Sequence, residues 1–143
     1  MRPDDLDTTL GLEPHPEGGS YVETWRSSTT LTTADGRVRP ASTLIHFRLR
    51  PGESSAWHRV RSDEIWLAHT GQVVLELGGS GDMPVPDGKV VLGVDVLAGQ
   101  SPQVLVPADE WQRTLPGTHD ALVSCLVSPG FDFDDFELAN SDS

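Results

Sequence analysis

The chain predicts an all-β fold, a sandwich or small barrel of jelly-roll type, on three observations. Short runs alternating apolar and polar residues recur along its whole length, eight or more of them, each bounded by a turn signal. Glycine and proline number 14 and 11 in 143 residues, as many tight turns require. No pattern of helical period is long enough to interrupt the series. The length suits one domain with a real core, and neither a solenoid repeat nor a linker divides it.

Asp4 to Leu10 opens the chain as a short helix, with Leu6 and Leu10 on one face, Pro3 at its start and Gly11 as its stop. His15 to Gly19 (HPEGG) reads as a turn. Residues 20–27 (SYVETWRS) alternate and are rich in aromatic and β-branched types, so they predict a strand. Residues 27–41 form a polar hairpin about Asp35-Gly36. Ser42 to Arg50 alternates cleanly: Ile45, Phe47 and Leu49 make a dry face, and Leu44, His46 and Arg48 make the face expected to line a polar cavity. Trp57 to Val60 and Glu64 to His69 are expected to pair as a hairpin, with Gln72 to Leu77 following. A loop at 78–88 turns at Pro86-Asp87-Gly88 and leads into a strand over Val90 to Leu97. Gln103 to Val106 and Ala121 to Val127 complete the strands. The expected organisation is a single domain, 1–143: a helical segment at 1–11, a barrel at 20–138 and a tail at 139–143.

Composition excludes some partners. With 22 acidic and 10 basic residues the net charge is −12 and no basic cluster exists, so phosphate backbones are repelled and no nucleic acid is expected. No apolar run reaches membrane-spanning length and the first residues lack the apolar middle of a secretory signal, so the expectation is a cytoplasmic protein without a membrane partner. The single cysteine, Cys125, lies in the apolar run ALVSCLV and reads as a buried structural thiol.

One stretch concentrates the chemistry. Gly52, His58, Val60, Glu64 and Gly71 are separated by five, one, three and six residues. This spacing resembles the first cupin motif, in which a glycine turn leads into a strand carrying His-x-His and a Glu is returned beside it; Val60 stands in place of the second histidine. Residues 99–112 (GQSPQVLVPADEWQ) resemble the second motif, with Asp109 where a turn glycine stands and Gln112 in the position of the final histidine. HPEGGSYVETWRS, SAWHRVRSDEIW, LGVDVLAGQSPQVLVPADEWQ and CLVSPGFDFDDFEL, in that order, resemble the cupin_5 family, formerly the domain of unknown function DUF985. The resemblance implies a double-stranded β-helix, the cupin jelly-roll barrel. It also implies a homodimer in which terminal strands extend the neighbour's sheet, and no settled chemistry.

His58, Glu64 and Gln112 give one imidazole, one carboxylate and one amide. As a ligand set they would hold a divalent nickel, zinc, iron or manganese ion weakly, short of the two histidines that a facial iron site needs. His46 is the histidine best placed to replace the missing ligand, since His69 has the wrong parity and His15 and His119 lie in loops. Without metal the same residues suit proton transfer: His58 as base, Glu64 as its orienter or acid, and Tyr21 donating from the opposite face. Trp66 shares parity with Glu64 and is expected to line the cavity, where its indole can stack on a ring. Trp57 is expected to point into the core, and Trp25 and Trp111 to serve core or dimer packing. Glu23, on the face of Tyr21 and Trp25, joins Gln112, His46 and Arg48 as a substrate-binding candidate. Phe131, Phe133 and Phe136 are expected to plug the barrel or a dimer seam. The leading expectation is an isomerase or epimerase acting on a carbohydrate-like or carbonyl substrate; the alternatives are a metal-dependent, dioxygenase-like enzyme and a non-catalytic small-molecule binder.

Overall fold

The computed structural model describes residues 3–139; positions 140–143 of the expected tail lie outside the described residues. A short helix, α1 (Pro3–Leu10), ends at Gly11, whose φ of 75° is the left-handed stop that glycine adopts without strain. Thirteen strands follow: β1 (Glu13–Pro14), β2 (Ser20–Arg26), β3 (Thr30–Thr32), β4 (Val38–Pro40), β5 (Thr43–Leu49), β6 (His58–Val60), β7 (Asp63–Thr70), β8 (Val73–Leu77), β9 (Gly88–Leu92), β10 (Gln103–Val106), β11 (Gln112–Leu115), β12 (Ala121–Ser128) and β13 (Phe136–Leu138). A six-stranded sheet in the order β1-β2-β5-β12-β7-β10 faces a five-stranded one in the order β13-β6-β11-β8-β9, and β3 and β4 make a separate hairpin. Among the described residues no helix is long and apolar enough to cross a membrane.

Alternation puts one face of each strand into the space between the sheets. Phe47 and Leu49 of β5, Val73 and Leu75 of β8, Leu92 of β9 and Ala121, Val123 and Cys125 of β12 form the packed core. Cys125 is buried, as its apolar run predicts.

Four expectations are corrected. β6 and β7 are not a hairpin: the chain changes sheets through Arg61 and buried Ser62, so His58 and Glu64 enter the interior from opposite walls. The strand expected over Val90 to Leu97 stops at Leu92, and Val96–Ala98 forms a 3-10 turn instead. Trp57 points outward from the smaller sheet, where the Arg113 guanidinium lies 4.5 Å from its ring. On β5 the polar face lies outside the barrel, and the dry face, through Thr43 and Ile45, lines the cavity. The reason is α1: its Asp7 covers the outer face of β5 and ion-pairs with Arg48 at 2.8 Å and with Arg50. Arg48 also binds Asp120 at 2.9 Å, so its charge is neutralised locally and it does not reach the cavity.

Candidate functional site

A cavity of about 460 Å³ opens at one end of the interior. Among the polar groups that line it are His58 from β6 and Glu64 from β7, 2% and 7% exposed, so the two residues of the sequence motif do converge inside the shell. Gln112 of β11 stands directly across from His58 in register. Asp109, at a φ of 68°, takes the left-handed turn where the motif has glycine, and its N–H donates to the Val60 carbonyl at 2.8 Å, which pins the β10–β11 turn to β6.

Two groups from the turn-like HPEGG segment complete the site. His15 and Glu17 line the cavity because the HPEGG loop dips between the sheets. Its glycines permit this approach: a Cβ on Gly18 would lie 2.2 Å from the Ser54 carbonyl, and one on Gly19 would lie 2.7 Å from the Phe47 ring. The Ala56 N–H donates to the Glu17 carbonyl at 2.7 Å, and a Ser55–Thr114 hydroxyl pair at 3.0 Å holds the segment leading to His58 against β11. The pair of glycines following His-x-Glu was the available signal.

The hydrogen bonds fix tautomers. His58 Nδ1 lies 2.8 Å from the Ala56 carbonyl, which can only accept, so Nδ1 carries the proton and Nε2 is bare in the neutral ring. That Nε2 lies 3.0 Å from Glu17 Oε2. The oxygen is buried but makes no aligned hydrogen bond. His15 Nδ1 accepts the Glu17 backbone N–H at 3.1 Å, so its 3.4 Å approach to Glu17 Oε1 is not an ion pair. Burial pushes the His58 pKa down to about 4, against the pull of its bond to Ala56. Burial, then the neighbouring His58, brings His15 to about 4. Burial and the Glu64 charge push Glu17 well up, opposed by its bond to Ser55. Burial raises Glu64 to about 6, opposed by hydrogen bonds from Gln112 and the Cys125 thiol. Both imidazoles are therefore neutral near pH 7, Glu17 holds its proton more tightly than an ordinary carboxyl, and Glu64 titrates near 6.

Other candidates sort by face. Tyr21 and Glu23 line the cavity. A bulge at Thr24 then reverses parity, so Arg26 follows them into the wall, held to Glu23 by two bonds of 3.0 Å, and Trp25 turns outward, 50% exposed. Trp66 shares the inward face but sits below the cavity floor in the packed core, donating its indole N–H to Gln112 Oε1 at 2.9 Å, so no ring face is offered for stacking. His46 is on the outer face, where its Nδ1 and His69 Nε2 meet the Ser124 hydroxyl at 3.2 and 2.7 Å; its strand parity keeps it from replacing a ligand. Phe131, Phe133 and Phe136 line the cavity rather than plug it.

A resident divalent ion does not fit these residues. Val60 offers no donor. Gln112 gives its oxygen to Trp66 and its amide N–H to Glu64 Oε1 at 2.8 Å, so the position of the last ligand is spent on internal bonds. Among the described residues no three His, Cys, Asp or Glu side chains gather as an ion requires. The expected set of His58, Glu64 and Gln112 for nickel, zinc, iron or manganese is corrected accordingly.

Two facing sheets with a Gly-His-Glu motif turned into a cavity at one end define a cupin-type barrel. The chain matches the model of Cupin_5, described as Cupin superfamily (DUF985), over residues 4–139, and it belongs to that family. A hypothetical protein from Leishmania major is similar, at 33% identity and a TM-score of 0.84, over 96% of this chain and 86% of that one. A Shewanella oneidensis protein is similar at 37% identity and a TM-score of 0.82, over 96% and 84%. Oxalate decarboxylase from Bacillus subtilis, 13% identical with a TM-score of 0.61 over 87% of this chain and 29% of that one, shares the fold alone. No curated protein matches the sequence.

Proposed function

We propose that the cavity is the active site of an isomerase- or epimerase-like enzyme that moves a proton next to the carbonyl of a small substrate. The observation that carries this reading is that two buried carboxyls, Glu17 and Glu64, line the same cavity, where burial raises the proton affinity of both. Two such groups divide the labour of enolisation. Glu64, ionised above about pH 6, takes the proton from the carbon beside the carbonyl, and the C–H electron pair moves into a C=C bond as the carbonyl oxygen gains negative charge. Glu17, kept neutral, donates a hydrogen bond to that oxygen. Return of a proton to carbon, from Glu64 or from the Tyr21 hydroxyl, gives the isomer or epimer. His58, whose bare Nε2 faces Glu17, holds that carboxyl in place. The base role expected for His58 passes to Glu64, since burial makes the imidazole a weak base.

The reading is tested by incubating the protein in D2O with a panel of hydroxyketones and aldoses. Deuterium entering next to a carbonyl, lost in Glu64→Gln, is expected. A panel without incorporation contradicts it.

A second copy of the chain is the expected partner, and a specific observation favours it. Trp25, Leu44, Leu126, Ile65 and Leu105 are successive cross-strand partners, so they form one apolar stripe over five strands on the outer face of the larger sheet. Its ends, Trp25 and Leu105, are 50% and 56% exposed. Such a stripe suits a twofold interface in which the same patch meets itself. Sedimentation at twice the chain mass, reduced to one by Leu105→Glu, is the outcome expected. A cytoplasmic location is part of the proposal and rests on the lone buried thiol.

A further inference from the structure

We infer that the substrate carries an organic cation, a quaternary or protonated ammonium group, held at the cavity mouth by the Phe131, Phe133 and Phe136 rings together with Glu13 and Asp132. The inference rests on the cavity being the active site and specifies which carbonyl compounds it admits. The mouth is aromatic: Phe131 and Phe133 meet edge to face at 4.8 Å, Phe133 and Phe136 at 5.8 Å. His15 continues the wall, 5.8 Å from Phe136 and 4.5 Å from Tyr21. Ring faces carry negative charge and attract a cation that sheds its water against them.

The charges point the same way. Five carboxyl side chains line the cavity, Glu13, Glu17, Glu23, Glu64 and Asp132, against the single guanidinium of Arg26. Arg26 is already bound through two atoms to Glu23 and through a third contact to the Phe131 carbonyl at 3.4 Å. Both histidines of the wall are neutral, so a phosphate or carboxylate group finds no free positive charge. Glu13 and Asp132 have no ion pair among the described residues; Asp132 accepts the Asp134 N–H at 2.8 Å and interacts at longer range with Arg39, so neither carboxylate is closed off by a bound cation of the protein.

A cation alone leaves the interior unanswered. Glu17 lines the interior with its side chain nine-tenths buried, and its Oε2, 3.0 Å from the bare His58 Nε2, makes no aligned hydrogen bond there, so a ligand oxygen within reach offers its carboxyl a further partner. The geometry therefore selects a two-ended molecule: a carbonyl that engages Glu17 inside, and a cation against the rings and carboxylates outside. Purely apolar ligands offer the Glu17 carboxyl nothing, and anionic ones are repelled.

The test compares three compounds of one shape by calorimetry and ligand-observed NMR on the full chain: choline, its neutral isostere 3,3-dimethylbutan-1-ol and the anion 3,3-dimethylbutanoate. Choline is expected to bind at least about tenfold more tightly than the neutral compound, with no binding of the anion. Phe133→Leu and Glu13→Gln, both at exposed positions, are each expected to weaken choline several-fold with the melting temperature unchanged. Equal or tighter binding of the neutral or anionic compound, or no choline binding up to its solubility, overturns the inference. Deuterium exchange into uncharged hydroxyketones reads the acid–base chemistry separately. Exchange without choline preference removes the cation alone, and choline preference without exchange removes the chemistry alone.

Discussion

β7 passes through both ends of the barrel interior, sending Trp66 and Ala68 into the packed end and Glu64 into the cavity. At the packed end Leu49, Val73, Leu75, Leu92 and Val123 lose contact with water and repay it with transfer free energy. At the cavity end the strands bury His58 and Glu64 and the HPEGG loop buries Glu17, groups whose charged forms lose solvation and gain little in return. The seam is the relay from the Trp66 indole to Gln112 to Glu64, bonds of 2.9 and 2.8 Å that join the two ends through one amide. What the contrast teaches is that the barrel draws its stability from one end and stores its perturbed acids at the other. Substitutions at the two ends should therefore separate in their effects.

The sharpest separation comes from Glu64→Gln. Deuterium exchange is expected to fall about 10²- to 10⁴-fold, as removal of a general base does. Stability moves the other way. Glu64 has a folded pKa of about 6 against an ordinary 4.5, so the native state holds its proton longer than the unfolded chain. That contribution is fully present below pH 4.5 and is lost as pH rises through about 6, a change of about 2 kcal/mol. The variant is thus expected to match the parent at pH 4 and exceed it at pH 8 in urea titrations. His58 runs oppositely, its folded pKa of about 4 costing stability as pH falls from 6.5, but it is common to both proteins and cancels. Equal pH dependence in the two proteins would break the contrast.

Leu75→Ala probes the other end. Leu75 is fully buried, and the truncation is expected to cost about 2–5 kcal/mol of unfolding free energy while exchange per folded molecule stays unchanged. Gln112→Leu cuts the seam and should touch both properties. It leaves the Trp66 N–H buried without an acceptor, at about 1–3 kcal/mol, and moves the Glu64 midpoint upward because a donor to its carboxylate is gone. The smallest effect belongs to His46→Gln on the outer face, expected within about 0.5 kcal/mol of the parent with exchange intact. A loss of exchange there would place the outer face in the site after all.

Legibility followed the range of the interactions. The strands and their inward faces at His58, Val60 and Glu64 could be read because alternation and a glycine at each flank are local signals. Even there the partner strand is not legible, since nothing local says that the chain changes sheets between Val60 and Asp63. On β5 polarity alone points to the wrong face. Arg48 is polar and inaccessible because Asp7 and Asp120, 41 and 72 residues away, neutralise it. Parity at Trp25 failed at a one-residue bulge, which no alternation count detects. Trp66 had the right parity but the wrong depth, its position along the barrel axis being set by packing against Phe47, whose ring lies 5.8 Å away. His15 and Glu17 were hidden by their turn-like neighbours, although Gly18 and Gly19 carry the mark of a close backbone approach.

The central claim is that burial at the cavity end holds the Glu64 carboxyl near neutrality, ready to exchange a proton. The direct measurement is a carboxyl carbon-13 NMR titration of the folded protein, with the Glu64 signal identified by its absence in Glu64→Gln. The account predicts a midpoint of about 6, and a midpoint at the ordinary 4.5 would contradict it.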